Sequence, residues 1–156
     1  MVRLDWVGQG GLKAPFSQPI FNQNTKTNGG LRSINIVYTS QCVKGVVFNF
    51  NDGTSVNTGY QGTNEVTIAL NTIQKLYSVS SYCAWICDKI TFTTIDLETN
   101  ALTAYDTGNI NYFGSQYTPE TLVNITDFAN IDISNFYGTY FDYLNGCLEF
   151  IGINYF

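Results

Sequence analysis

The stretch NFYGTYFDYLNG, Asn135 to Gly146, sets one carboxylate, Asp142, between two glycines eight residues apart and among aromatic side chains. An ionised carboxylate is an acceptor-only group with room for several donors. It serves equally well to bind a ligand or to hold its own turn through backbone N–H groups. Glycine at the bends and aromatics on flanking strands suit both uses, so the stretch alone leaves both open.

Other residue types narrow the chemistry. The chain has no histidine. That excludes Ser-His-Asp and Cys-His nucleophilic arrangements, removes the commonest metal ligand and leaves no side chain that naturally titrates near neutrality. Glycoside hydrolysis by two carboxylates needs no histidine, and Asp127 with Asp132 is such an acidic pair. With twelve acids in the chain, some pair of this kind is inevitable. The four cysteines, Cys42, Cys83, Cys87 and Cys147, allow three fully paired connectivities, which sequence does not separate. In an extended strand, residues 83 and 87 would stand roughly 13 Å apart, beyond the ~7 Å reach of a disulfide, so a bond there requires a turn. A cysteine-only zinc site normally shows two close pairs, whereas Cys42 and Cys147 are each isolated. The expectation is therefore no metal and no cofactor, with buried free thiols first and disulfides second.

These residues must be positioned by a chain of 156 residues, 44% hydrophobic and only 12% charged, which suits one globular domain spanning residues 1–156. Seven basic against twelve acidic residues, net charge −5, would repel phosphate backbones and anionic surfaces. Nucleic acid is not an expected partner. No apolar run approaches the ~20 residues of a membrane span, and MVRLDWVGQGG lacks the apolar core of a secretory signal. The expectation is a soluble chain with no membrane insertion.

Short β-branched and aromatic segments recur throughout: LRSINIVY, VKGVVFNF, NEVTIAL, KLYSVSSY, DKITFTT, TLVNIT and CLEFIGINYF. Gly, Asn, Asp or Ser separates them, as in a sheet protein. Leu31, Ser33, Asn35 and Val37 alternate with Ile34, Ile36 and Tyr38, and Val46, Phe48 and Phe50 alternate with Val47 and Asn49. Both segments read as strands with a buried face. Asn51-Asp52-Gly53 suits a tight hairpin with positive φ. TPETLVNI has the start of a helix in Thr118-Pro119-Glu120, but the β-branched residues that follow favour a strand. The pattern is all-β, a sandwich, barrel or prism.

Four blocks in a fixed order carry a family resemblance. WVGQGG (Trp6–Gly11) is similar to the Trp-Gly-Gly-x-Gly-Gly opening of the jacalin-related lectins. GGLRSINIVYTSQCVKGVVFNFNDG (Gly29–Gly53) resembles that family's first long hairpin, and VTIALNTIQKLYSVSSY with DKITFTT its central segment. ISNFYGTYFDYLNGCLEF resembles its closing Gly-x-x-x-Asp block. The resemblance implies a β-prism I fold: three four-stranded Greek-key sheets around a pseudo-threefold axis. Internal threefold repetition is not visible in the residues themselves.

The resemblance also implies a sugar site where the N-terminal glycine turn meets the Gly-x-x-x-Asp turn. Carried over, Gly11, Thr139 and Tyr140 offer backbone N–H groups, Asp142 accepts from sugar hydroxyls, Gly138 admits the close approach, and Tyr140 or Phe141 adds an apolar wall. A carboxylate beside fixed donors matches adjacent hydroxyls that donate and accept together. The expected function is a non-catalytic, mannose/glucose-type lectin. Its expected partners are glycans or glycoproteins, engaged with avidity through a homo-oligomer or multivalent glycans. Val7 in place of a glycine and Asn145-Gly146-Cys147 in place of Asp-Ala-Ile depart from the pattern, so the last strand is open to being shifted or bulged. YTSQCV lacks a carboxylate, which implies one site per chain. The alternative is a structural or protein-interaction prism without sugar binding, for which the same departures and 15% aromatic residues are the motive.

Overall fold

The computed structural model describes residues 3–8, 17–25, 27–83, 87–108, 120–123, 133–141 and 146–155. Their elements are twelve β-strands and a single 3₁₀ turn at Thr27–Gly29, with no α-helix among the described residues. The strands are β1 Arg3–Gly8, β2 Ser17–Asn24, β3 Leu31–Tyr38, β4 Val43–Phe50, β5 Ser55–Asn57, β6 Asn64–Ala69, β7 Gln74–Cys83, β8 Cys87–Asp96, β9 Leu102–Asp106, β10 Glu120–Val123, β11 Ile133–Phe141 and β12 Cys147–Tyr155. LRSINIVY and VKGVVFNF coincide with β3 and β4. Glu120–Val123 is a strand, as its β-branched residues favour, and the Asn51-Asp52-Gly53 turn has Gly53 at φ 91°.

The strands form three antiparallel sheets of four, ordered β1-β12-β11-β2, β5-β4-β3-β6 and β10-β7-β8-β9. In the last two, a hairpin pairs its first strands, the third strand adds beside the second, and the fourth returns beside the first. The first sheet has the same plan with β11 and β12 as its hairpin, β1 as third strand and β2 as fourth.

Strand register repeats the plan more closely than strand order alone. In the β3–β4 hairpin the pairing slips at Arg32 and again at Lys44; in β7–β8 it slips at Tyr77 and Asp88; in β11–β12, at Ser134 and Glu149. Each hairpin thus carries one extra residue near the start of its first strand and another near the start of its second. Such bulges bend and twist a strand, so paired bulges curl all three hairpins alike.

The inner faces meet in one cluster. Ile34, Ile36, Val46, Phe48, Phe50 and Ile68 come from the second sheet, Leu76, Val79, Ile90 and Phe92 from the third, and Phe136, Leu148 and Ile151 from the first; all are buried. β4, β8 and β12, the second strand of each hairpin, contact one another pairwise. Phe48 and Phe136 join two sheets with ring centroids 5.2 Å apart, within the range of favourable aromatic pairs.

A covalent link reinforces the packing. Cys42, just before β4, is bonded to Cys147 at the start of β12, with Cα atoms 6.0 Å apart. Cys87 is also disulfide-bonded, and its register partner across the β7–β8 pair is Cys83. The expectation of free thiols is therefore wrong: among the described residues no cysteine is free. The physical reason is the hairpin, since the chain reverses between Cys83 and Cys87 instead of running extended. The sulfurs are withheld from metal, and no cluster of metal-ligating side chains exists among the described residues.

Two predictions follow from these contacts. The Cys42–Cys147 bond closes a loop of 105 residues, for which chain entropy gives about 4–5 kcal/mol of stabilisation. Cys42→Ser/Cys147→Ser should therefore lower the unfolding free energy by several kcal/mol, read as a lower denaturant midpoint, and an unchanged midpoint would refute this. On the core face of β8, Thr94 is 1% exposed and its hydroxyl has no hydrogen-bond partner. Thr94→Val keeps the shape and removes the stranded hydroxyl, so it should be neutral or stabilising by about 1–2 kcal/mol in urea melts.

Candidate functional site

The chain returns repeatedly to one end of the first sheet. β1 and β11 both run antiparallel to β12, so they point the same way and finish at the same end. Gly8, the last residue of β1, and Thr139 of β11 face Phe150 from its two sides. Two strand spacings put their backbones roughly 10 Å apart. Phe141, the last residue of β11, pairs with Cys147 on one side and with Ser17, the first residue of β2, on the other. Both connections, residues 9–16 after β1 and residues 142–145 after β11, therefore leave from and return to this end.

The backbone at this end is irregular around one residue. Between the β11–β2 pairs Thr139–Ile20 and Phe141–Ser17, Gln18 and Pro19 stand against Tyr140 alone. On the opposite side, Glu149 is the extra residue of β12 beside Tyr140 and Thr139. Proline, having no N–H to give a ladder, is placed where a bulge on an edge strand does not need one. This double irregularity frees Tyr140 from regular pairing with β2. The last strand is bulged, as expected, but at Glu149 and in the same way as β4 and β8, so the bulge is part of the repeated plan and not an effect of Asn145-Gly146-Cys147.

The neighbouring sheet fixes the re-entry point of the 142–145 connection. The bulge at Lys44 breaks the in-out alternation of β4, so that Val43 through Val46 are all buried. Lys44, 5% exposed, donates its ammonium Nζ–H to the Gly146 carbonyl at 2.7 Å. Burial pushes its pKa below the ordinary lysine value. Cys42 Sγ lies 3.8 Å from the same carbonyl; a disulfide sulfur has no proton to donate, so this is packing.

Gly146 itself has φ 99°, and a Cβ there would run into the Tyr60 ring. Tyr60 is tied in turn to β4, its backbone N–H donating to the Lys44 carbonyl at 3.3 Å. Close approach of residues 59–60 to β4 requires Gly45, where a Cβ would stand 2.9 Å from Gly59 Cα. Cys42, Lys44 and Tyr60 thus grip Gly146-Cys147 from outside its own sheet.

The residues expected to bind a ligand divide into two groups. Gly138, Thr139, Tyr140 and Phe141 lie on the last part of β11, whereas Gly11 and Asp142 lie outside the described residues. Gly138 is not turn punctuation: it sits within the strand, paired with Ile151 and Phe21, because β11 is central in its sheet and continues to Phe141. Val7 is in β1 opposite Ile151, a position that suits a β-branched side chain. The Thr39–Cys42 turn closes through Thr39 N–H donating to the Cys42 carbonyl at 3.0 Å, and it brings no carboxylate. Asp127 and Asp132 lie outside the described residues. The grip on Gly146 was missed because nothing in sequence links positions 42, 44 and 60 to 146; the available signal was the pair of isolated cysteines.

No family model and no curated protein sequence matches this chain. Solved structures do. A prostate-specific WGA16 glycoprotein lectin matches with a TM-score of 0.67 at 12% identity, over 96% of this chain and 96% of that one. AcmJRL, a mannose binding jacalin related lectin from Ananas comosus, matches with a TM-score of 0.59 at 18% identity over 99% and 96%. The artocarpin–mannopentose complex gives 0.58 at 16% over 100% and 97%. At these identities the likeness is one of architecture, and on it the chain has the fold of the jacalin-related lectins.

Proposed function

We propose that this chain is one lectin domain, residues 1–156, which binds mannose- or glucose-type glycans and performs no catalysis. Its three sheets are read as Greek keys arranged as a prism about a pseudo-threefold axis, a reading that the repeated strand order and bulges support. The supporting observation for the site is the convergence at one end of the first sheet: the chain passes there both before and after Gly11, and it leaves β11 for Asp142 from there. Fold likeness to a mannose binding lectin and to a lectin complexed with mannopentose favours the sugar class.

In this reading Gly11, Thr139 and Tyr140 supply backbone N–H donors and the Asp142 carboxylate accepts from two adjacent hydroxyls. Gly138 admits the ring to the strand, and Phe141 with Tyr140 offers an apolar wall. An uncharged polyol is the ligand such donors and acceptors satisfy together. A shallow site with few hydrogen bonds gives roughly millimolar affinity, about −4 kcal/mol, so avidity would come from a homo-oligomer or from multivalent glycans.

A second reading, a protein-interaction domain, has one observation in its favour: Leu97 and Leu102 are 45% and 54% exposed at one end of the β8–β9 hairpin. Saturable binding on a glycan array, competed by free mannose, would exclude it in favour of the lectin. In titrations with a mannose oligosaccharide, Asp142→Ala should cost about 1.5–3 kcal/mol, the worth of a charge-assisted hydrogen bond. Unchanged binding in that variant would overturn the site.

A further inference from the structure

We infer that β9 is the edge by which two copies of this chain associate, pairing antiparallel with β9 of the second copy about a two-fold axis at Thr103. The inference rests on described residues alone and stands whether or not the chain binds sugar. The edge strands of the three sheets are β1 and β2, β5 and β6, and β10 and β9. An open edge invites pairing with another chain, and folded proteins blunt it with charge, proline, a bulge or brevity. β1 carries Arg3 and Asp5, and β2 has Pro19 in its bulge. β5 is three residues long, β10 is four with Glu120 at its start, and β6 holds Glu65. β9 has none of these over Leu102-Thr103-Ala104-Tyr105; its one charge, Asp106, is its last residue.

The backbone of this edge is turned outward where it is least covered. Asp96 N–H donates to the Ala101 carbonyl at 2.9 Å, so Ala101 faces β8, and alternation along an antiparallel strand turns the N–H and C=O of Leu102 and Ala104 away from β8. No register shift interrupts the β8–β9 pairing. β6 of the second sheet comes near β9, yet Leu102, Thr103 and Ala104 are all exposed. The exposed large hydrophobic residues among those described, Leu97 and Leu102, both belong to this hairpin.

The occupant is identified by the edge matching itself. With the axis at Thr103, Leu102 stands opposite Ala104 of the second copy on the face away from the core, and their outward backbone groups exchange hydrogen bonds. Thr103 meets its own copy, a favourable cross-strand pair. Ala101 stands opposite Tyr105, and each Asp106 meets Asn100 instead of the other Asp106. No like charges face one another along the paired strands, which matters in a chain of net charge −5. A dimer so formed doubles every ligand site on the chain, which is how weak single-site binding gains avidity.

In sedimentation velocity of the full chain, the wild type should form a dimer whose fraction rises with concentration, and amide exchange in peptides covering residues 101–106 should slow in step. Ala104→Pro removes an outward N–H that the β8 ladder does not use, and it should weaken association about tenfold or more. Thr103→Lys sets two like charges directly opposite one another and gives the same readout if the proline variant does not fold. Thr103→Cys should cross-link the copies under mild oxidation, since facing residues in such a pair have Cα atoms within disulfide reach. A wild type that stays monomeric to roughly 1 mM, a dimer that survives both Ala104→Pro and Thr103→Lys, or a dimer that Thr103→Cys does not cross-link would overturn the inference. So would slow exchange at β9 that is independent of concentration, because the chain would then cover its own edge.

Discussion

Every sheet in this molecule depends on the other two, because each has four strands that bring apolar residues to one cluster, and no α-helix among the described residues covers them. Hydrophobic burial can be satisfied only if the three faces close on one another. Phe48 and Phe50 from one sheet, Ile90 and Phe92 from another and Phe136 and Ile151 from the third share a single cluster. The contacts among β4, β8 and β12 put the second strand of each hairpin at the centre. Paired bulges follow from that constraint: a flat hairpin could not bring its second strand inward and also keep its outer partners paired, and an extra residue in each strand supplies the bend.

Closing three sheets on a core leaves their connections at the ends, where backbone is free to meet a ligand. At one end of the first sheet the exits of β1 and β11 and the entries of β2 and β12 lie together, and this is the end to which the proposed sugar site is assigned. The fold therefore supplies proximity cheaply. The Cys42–Cys147 bond and the Lys44 hydrogen bond to Gly146 tie the start of β12 to the adjacent sheet.

Sequence pattern recovered the strands that are half buried. Ile34 and Ile36 flank Asn35, and Phe48 and Phe50 flank Asn49, so β3 and β4 were legible from their buried faces. β5 and β9 were not: SVN is three residues long, and LTAYD is an exposed edge strand, so neither shows a two-residue period of burial. β11 was hidden by its own glycine, because Gly138 in a central strand looks like a bend when only sequence is read. The threefold plan was invisible for a different reason. It is held in backbone register, at Lys44, Asp88 and Glu149, where one hairpin has a base and the other two an acid, so the positions share no signature. The order of the family motifs carried the fold, whereas the cysteine bonds and the grip on Gly146 are contacts across about a hundred residues of chain, which no local pattern encodes.

The central claim is that the Gly11 and Asp142 loops form one sugar-binding rim. The most direct test is a crystal structure of the chain soaked with methyl α-mannopyranoside. The account predicts sugar density at the end of the first sheet, with hydroxyls against the Asp142 carboxylate and the backbone N–H groups of Gly11, Thr139 and Tyr140. Sugar bound elsewhere on the molecule, or an empty rim at saturating sugar with Gly11 and Asp142 too far apart to reach one ring, would contradict it.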